Sequence, residues 1–328
     1  MKLLPGLLAC VAVAIVATLF GTLLPVVGGA VFAIAIGLLI GLVVAAVRAP
    51  SASMKPGIAF STKSVLQVSI VLLGANLSIG RVVASGARSM PVTIVTLALV
   101  LSVAFLVGKL LGIDRDLRRL LGVGTGICGG SAIAAVSSAI DADGADIAYA
   151  MSTIFLFNVI AVLTFPWLGH LMNLSQHAFG LWAGTAINDT SSVIAAGYAY
   201  GHDAGDEAVI VKLTRTLLII PLVGFYAYRR IAAARGAGTV DWWSVLPWFV
   251  LFFAAAAAAN GFGLIPESAH GPLQTFALFC ITVALAGVGL SADYAKMRSA
   301  GLRPLLLGFI LWVTIAASSL GVARLVGL

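Results

Sequence analysis

The sequence predicts an all-α polytopic membrane protein with about ten to eleven transmembrane helices, some of them broken or re-entrant. Three observations predict it. Hydrophobic residues make up 61% and charged residues 9% of the 328 positions, with a mean hydropathy of +1.12, against roughly a quarter charged in soluble domains. The charges sit in short patches between apolar runs of about 20 residues, the length that crosses a hydrocarbon core of about 30 Å. Two of those runs are interrupted by glycines and hydroxyls. A lipid-facing helix does not need them, because glycine weakens a helix by about 1 kcal/mol relative to alanine.

The first span, 7–24, follows Lys2, and Leu7-Leu8-Ala9-Cys10 has the form of a lipoprotein cleavage box. Hydrophobicity runs on past the length of a signal-peptide core, so the segment reads as an uncleaved helix. Further spans are expected over 26–47, 61–80, 91–111, 117–140, 147–171, 179–200, 208–227, 245–262, 274–291 and 304–325, all within one integral membrane domain covering 1–328. If every span crosses, four loop groups fall on one side: Arg48, Lys55 and Lys63; Arg115, Arg118 and Arg119; Arg229, Arg230 and Arg235; Lys296, Arg298 and Arg303. The other side receives Asp141, Asp143 and Asp146, then Asp203, Asp206 and Glu207, then Glu267. This alternation predicts an N-terminus inside, a C-terminus outside and a location in the cytoplasmic (inner) membrane. Arg81 and Arg88 are the exception, landing outside.

The formal charge of +7 is spread through loops rather than gathered on a face or tail, which fits membrane orientation and excludes nucleic acid as the partner. Cys10, Cys128 and Cys280 are far apart and carry no disulfide or zinc pattern. No cofactor motif and no Ser/His/Asp, HExxH or carboxylate-pair arrangement points to an enzyme. The four histidines, His170, His177, His202 and His270, lie near span ends, and Trp242, Trp243 and Trp248 read as an interfacial belt.

Internal similarities suggest how the spans are related. Leu72-Leu73-Gly74-Ala75-Asn76-Leu77-Ser78 aligns with Leu285-Ala286-Gly287-Val288-Gly289-Leu290-Ser291, and the same register brings Pro91 onto Pro304. Portions 61–112 and 274–325 therefore read as an inverted repeat of the kind found in secondary transporters. The second similarity joins the two interrupted runs. Residues 124–135 (GTGICGGSAIAA) align without a gap on 184–195 (GTAINDTSSVIA), sixty residues later. With one clear span between them, counting makes this pair parallel, unless one run is a re-entrant hairpin.

The interrupted runs carry the candidate site. Gly124 to Gly129 matches GxGxxG, but that fingerprint requires a preceding strand in a soluble βαβ unit. What remains is its physics: glycines let an anion approach the backbone, and a half-helix starting near Gly130-Ser131 aims N–H groups and a positive dipole end at it. Thr125, Gly126, Cys128, Gly129, Gly130 and Ser131 are therefore substrate-binding candidates, with close packing through small residues as the alternative.

In the second run Asp189 lies inside an apolar span, where a carboxylate costs at least about 2.5 kcal/mol to insert. It is a candidate to bind a coupling proton or sodium ion; the alternative is a helix cap. Asn188, Thr190 and Ser191 beside it, and Asn158 in the preceding span, are candidate ligands. Lys212 and Arg215 are three residues apart and share a helix face. They either hold an oxyanion, which suits a planar guanidinium, or pair with Asp189.

Together GVGTGICGGSAIAA (122–135), AGTAINDTSSVIAAG (183–197) and VKLTRTLLIIP (211–221) resemble the YeiH-like sulfate exporter family over essentially the whole chain. The resemblance implies kinship with the cation/proton antiporter and bile-acid symporter folds, inverted repeats, crossed broken helices and sulfate as substrate. Many members carry His where this chain has Asn188. The expectation is a secondary transporter of a small inorganic or organosulfur anion, coupled to a proton or sodium ion and compatible with a homodimer. The alternative is a sodium/proton antiporter using Asn188 and Asp189.

Overall fold

The computed structural model describes residues 3–23, 29–47, 53–232, 247–291, 302–325 and 327. Arg48, Arg235, Trp242, Trp243, Lys296 and Arg298, on which the loop-charge and belt readings drew, lie outside the described residues, as do the starts of the 26–47 and 245–262 spans.

Every regular element among the described residues is helical. The chain begins with α1 (Leu4–Leu23) and α2 (Gly29–Val47), followed by a rod made of α3 (Lys55–Phe60), a π turn (Ser61–Val65) and α4 (Leu66–Gly74). The long α5 (Ile79–Leu110) leads to the short pair α6 (Arg115–Gly126) and α7 (Gly130–Ile140), then the long α8 (Gly144–Leu171) and a second short pair, α9 (Gln176–Ala186) and α10 (Thr190–Tyr200). The chain closes with α11 (His202–Thr216), α12 (Ile219–Ala232), α13 (Trp248–Gly261), α14 (Glu267–Leu290) and α15 (Leu302–Leu325). Seven stretches among the described residues are long and apolar enough to cross a membrane, and neither 117–140 nor 179–200 is one of them.

Those two runs fold back on themselves. Arms of 11 or 12 residues rise about 17 Å, roughly half of a 30 Å core. In the first pair, α6 begins and α7 ends at the same end of the bundle: Asp146, just past α7, stands within electrostatic reach of Asp114 and Asp116 at the start of α6. In the second, Tyr200 at the end of α10 donates its hydroxyl to the Leu174 carbonyl and stacks on Phe179, with ring centroids 3.9 Å apart. Gln176 Oε1 accepts from the Asp203 and Ala204 amides at 3.0 and 3.3 Å. Both runs are therefore re-entrant hairpins.

They enter from opposite ends. The single long helix α8 leads from the end of hairpin 1 to the start of hairpin 2, and Arg81 at the start of α5 reaches Asp203 and Asp206 at 3.7 and 3.6 Å, whereas α5 finishes beside α6. We call the end holding 111–119 and 140–146 end A, and the other end B. This corrects the eleven-crossing topology: the 141–146 loop sits with Arg115, Arg118 and Arg119, and the 172–178 loop changes ends as well. Because two crossings are lost together, the first and last helices still face opposite ends. The 61–112 and 274–325 portions pack side by side, α4 against α14 and α5 against α15, and the members of each pair run in opposite directions.

Two main apolar clusters fill the interior. One joins α1, α2, α4 and α14 to α10 and α11, with Ile70, Leu73, Ile194, Val209, Ile281 and Leu285 at its centre. The other joins α5 to α8 with α12 and α15, through Val100, Leu120, Ile133, Ile154, Val223 and Leu311.

Candidate functional site

A helix that ends inside the bilayer leaves its last carbonyls without partners, each costing about 1–3 kcal/mol if buried and unmatched. Hairpins 1 and 2 bring two such ends together, α6 at Gly126 and α9 at Ala186. Both are closed from α11. Lys212 Nζ donates to the Ile127 and Ile187 carbonyls, each at 2.8 Å. Arg215 donates through Nε to Gly126 O at 2.6 Å, through Nη2 to Thr125 O at 2.8 Å, and through Nη1 to Thr185 O. Both side chains are completely buried. Cations are favoured at helix C-termini, and these two join the tips of hairpins that enter from opposite ends. The offset-sixty similarity thereby acquires a physical meaning, since Thr125 pairs with Thr185 and Ile127 with Ile187 in holding the same cation.

α11 can lie against both arms of hairpin 2 because small residues clear its path. A Cβ at Gly184 would stand 2.7 Å from Val211 Cβ, and one at Gly197 would stand 2.9 Å from the Gly205 Cα.

The opposite termini of the breaks open elsewhere. α7 starts after Gly129, whose φ of +65° suits glycine, and no side chain caps it. α10 starts after Asp189, whose Oδ2 accepts from the Ser191 amide at 3.0 Å and from the Ser191 hydroxyl. The Asp189 amide in turn donates to Asn158 Oδ1 at 3.1 Å.

Gly130, Asn158, Asp189, Ser191 and Ser192 line a cavity of about 260 Å³. Its remaining wall comes from Ile34 on α2, Thr62 and Leu66 on the π-turn rod, Met151, Ile154, Phe155 and Val159 on α8, and Val288 and Ser291 at the end of α14. The cavity lies between the two apolar clusters and extends from the hairpin tips toward end A.

The structure thus divides the predicted residues. Gly130, Asn158, Asp189 and Ser191 line the cavity. Thr125, Gly126, Lys212 and Arg215 stand behind it in the carbonyl network. Gly129 shapes the turn, and the buried Cys128 thiol meets the Ala132 amide. Thr190 and Asn188 are buried without lining the cavity, and Asn188 Oδ1 has no partner among the described residues. Ser131 is exposed and lies off the cavity.

Sequence reasoning missed the other wall. Ser291 carried a signal, as the last residue of the aligned Leu285–Ser291 segment, and Thr62 sits on a π turn, a feature often found at functional sites. The apolar members look like any lipid-span residue. Among the described residues no cluster of His, Cys, Asp or Glu is arranged for a metal ion.

The family described as conserved hypothetical protein 698 matches over residues 5–308. The chain belongs to that family. A UPF0324 membrane protein of Streptococcus pneumoniae serotype 4 is 39% identical over 330 residues, covering 98% of this chain and 97% of the relative. Relatives of the same description in Clostridium tetani and Fusobacterium nucleatum are 36% and 37% identical, each covering 98% of this chain and 97% and 98% of their own length. These names state a membrane protein and no substrate. No solved structure matches the chain.

Proposed function

We propose that this protein is a secondary transporter that moves a small oxyanion, sulfate or an organosulfonate, by alternating access, with Asp189 binding the coupling proton or sodium ion. The observation that carries the reading is the cavity at the hairpin tips. It combines an uncapped helix N-terminus at Gly130, the amide of Asn158 and one carboxylate in a cleft between two packed halves of the bundle. Helix N-termini attract anions, and an ionisable group within a membrane span marks an ion path.

In this reading Lys212 and Arg215 act on substrate through the field they add behind the site, and the paired hairpins are halves of an inverted repeat. Lys55, Arg115, Arg118, Arg119, Arg229 and Arg303 gather at end A, which the positive-inside bias assigns to the cytoplasm; the cavity would then open inward. The membrane is the cytoplasmic membrane, and the partners are the anion, its coupling ion and lipid.

Asp189 on the cavity wall also favours a second reading, sodium/proton antiport. Uptake of radiolabelled methanesulfonate, with sulfate as competitor, into proteoliposomes with and without a pH gradient separates the two. Saturable, gradient-sensitive uptake that falls at least tenfold in Asn158→Leu is the expected result. Movement of protons on adding sodium, with no sulfur anion transported, would overturn the anion reading.

A further inference from the structure

The cavity wall narrows the substrate further, given the oxyanion reading above. Three observations bear on it. First, the donors that face the cavity form a small group. Asn158 is only 6% exposed, and its Oδ1 is committed to the Asp189 amide. Its Nδ2 therefore points the other way, and among the described residues no acceptor meets it. An amide donor open to the cavity and without an acceptor, beside an uncapped helix start, is a place for a ligand oxygen.

Second, no cationic side chain lines the cavity, so charge must be balanced by the field. The half-charges at the two helix C-termini and at the two N-termini cancel. While Asp189 holds no coupling ion, Lys212 and Arg215 outweigh it by about one positive charge, which suits a monoanion. A dianion entering in that state would leave one negative charge uncompensated in a low-dielectric site.

Third, much of the lining is apolar, with Leu66 on the π-turn rod and Met151, Ile154, Phe155 and Val159 on α8, and the cavity of about 260 Å³ has room for several water molecules beyond an oxyanion head. A bare inorganic oxyanion leaves that wall wet, whereas an apolar body covers it.

We infer that the substrate is an organic monoanion, an oxyanion head seated at Gly130 and Asn158 with a short apolar body along the α8 wall, rather than inorganic sulfate. Titration calorimetry on the purified, detergent-solubilised full chain tests this with three probes: sulfate, methanesulfonate and butanesulfonate. Each methylene buried on the wall contributes about fourfold in affinity. Butanesulfonate should therefore bind at least about tenfold more tightly than methanesulfonate, and methanesulfonate more tightly than sulfate.

Replacing Phe155→Ser should collapse the butanesulfonate advantage while leaving methanesulfonate within about threefold. Met151→Ser, at a more exposed position, reads the same loss if Phe155→Ser does not fold. Sulfate binding as tightly as butanesulfonate, or an advantage untouched by both variants, would overturn the inference and leave the oxyanion reading standing. If none of the three anions binds or is transported, the oxyanion reading itself fails.

Discussion

Hairpins 1 and 2 align residue for residue at an offset of sixty, and up to the turn they behave alike. Thr125 and Thr185 give their carbonyls to Arg215, and Ile127 and Ile187 give theirs to Lys212. Two positions past the shared network they part. Gly129 turns hairpin 1 with a positive φ and leaves α7 uncapped, whereas its counterpart Asp189 turns hairpin 2 in the extended region and caps α10 with its own carboxylate. The common part satisfies a physical obligation, the closing of two buried helix C-termini. The divergent part gives one tip a free positive helix end and the other a negative charge; in the function we propose, the first receives the anion and the second the coupling ion.

The largest expected effect tests whether the hairpins mirror each other at all. In a background with Cys10, Cys128 and Cys280 replaced by alanine, Ala142→Cys and Asn173→Cys should be labelled by an impermeant maleimide from opposite faces of oriented vesicles. Labelling of Ala142→Cys from the face opposite to Arg115→Cys would break the hairpin description of 115–140.

Next comes the shared network. Arg215→Leu strips three carbonyls of their partner and should cost about 3–5 kcal/mol, read as a large drop in thermal unfolding temperature in detergent. Lys212→Met strips two and should cost about 2–4 kcal/mol. Because each cation serves both hairpins, the double variant should lose less than the two single losses combined. Additive losses would mean that the tips are held independently.

Smaller effects separate the two turns. Gly129→Ala forces a side chain into the positive-φ region and should cost about 1–2 kcal/mol. At the aligned position Asp189→Asn keeps a good capping residue, so stability should change by less than about 0.5 kcal/mol while ion-driven transport falls at least tenfold. Asp189→Asn that transports normally would remove the ion-binding role and leave the residue as a cap.

Much of this was legible in the residues. The breaks fall where glycines and hydroxyls interrupt apolar runs, the second arm of hairpin 1 starts at the expected Gly130, and Lys212 and Arg215 share one face of α11, because helix-breaking chemistry and helical spacing are local properties. The direction of travel after each break was not legible. An apolar run of about 24 residues with a break satisfies the length rule for a crossing whether it continues or folds back. The condition that every span crosses, and with it the placement of Asp141, Asp143 and Asp146, failed for that reason.

The sequence by itself determined that the chain is a helical membrane protein, where its helices break, and that a carboxylate and two cations stand within the membrane, since composition, period and propensity are carried by neighbouring residues. Only the tertiary structure decided that the cations face helix-end carbonyls instead of lining the cavity, that Gly130, Asn158 and Asp189 meet at one site, and that an apolar wall from α8 and the π-turn rod completes it. Those facts depend on which surfaces meet across sixty residues or more. A buried charge takes its role from the partner that packing supplies.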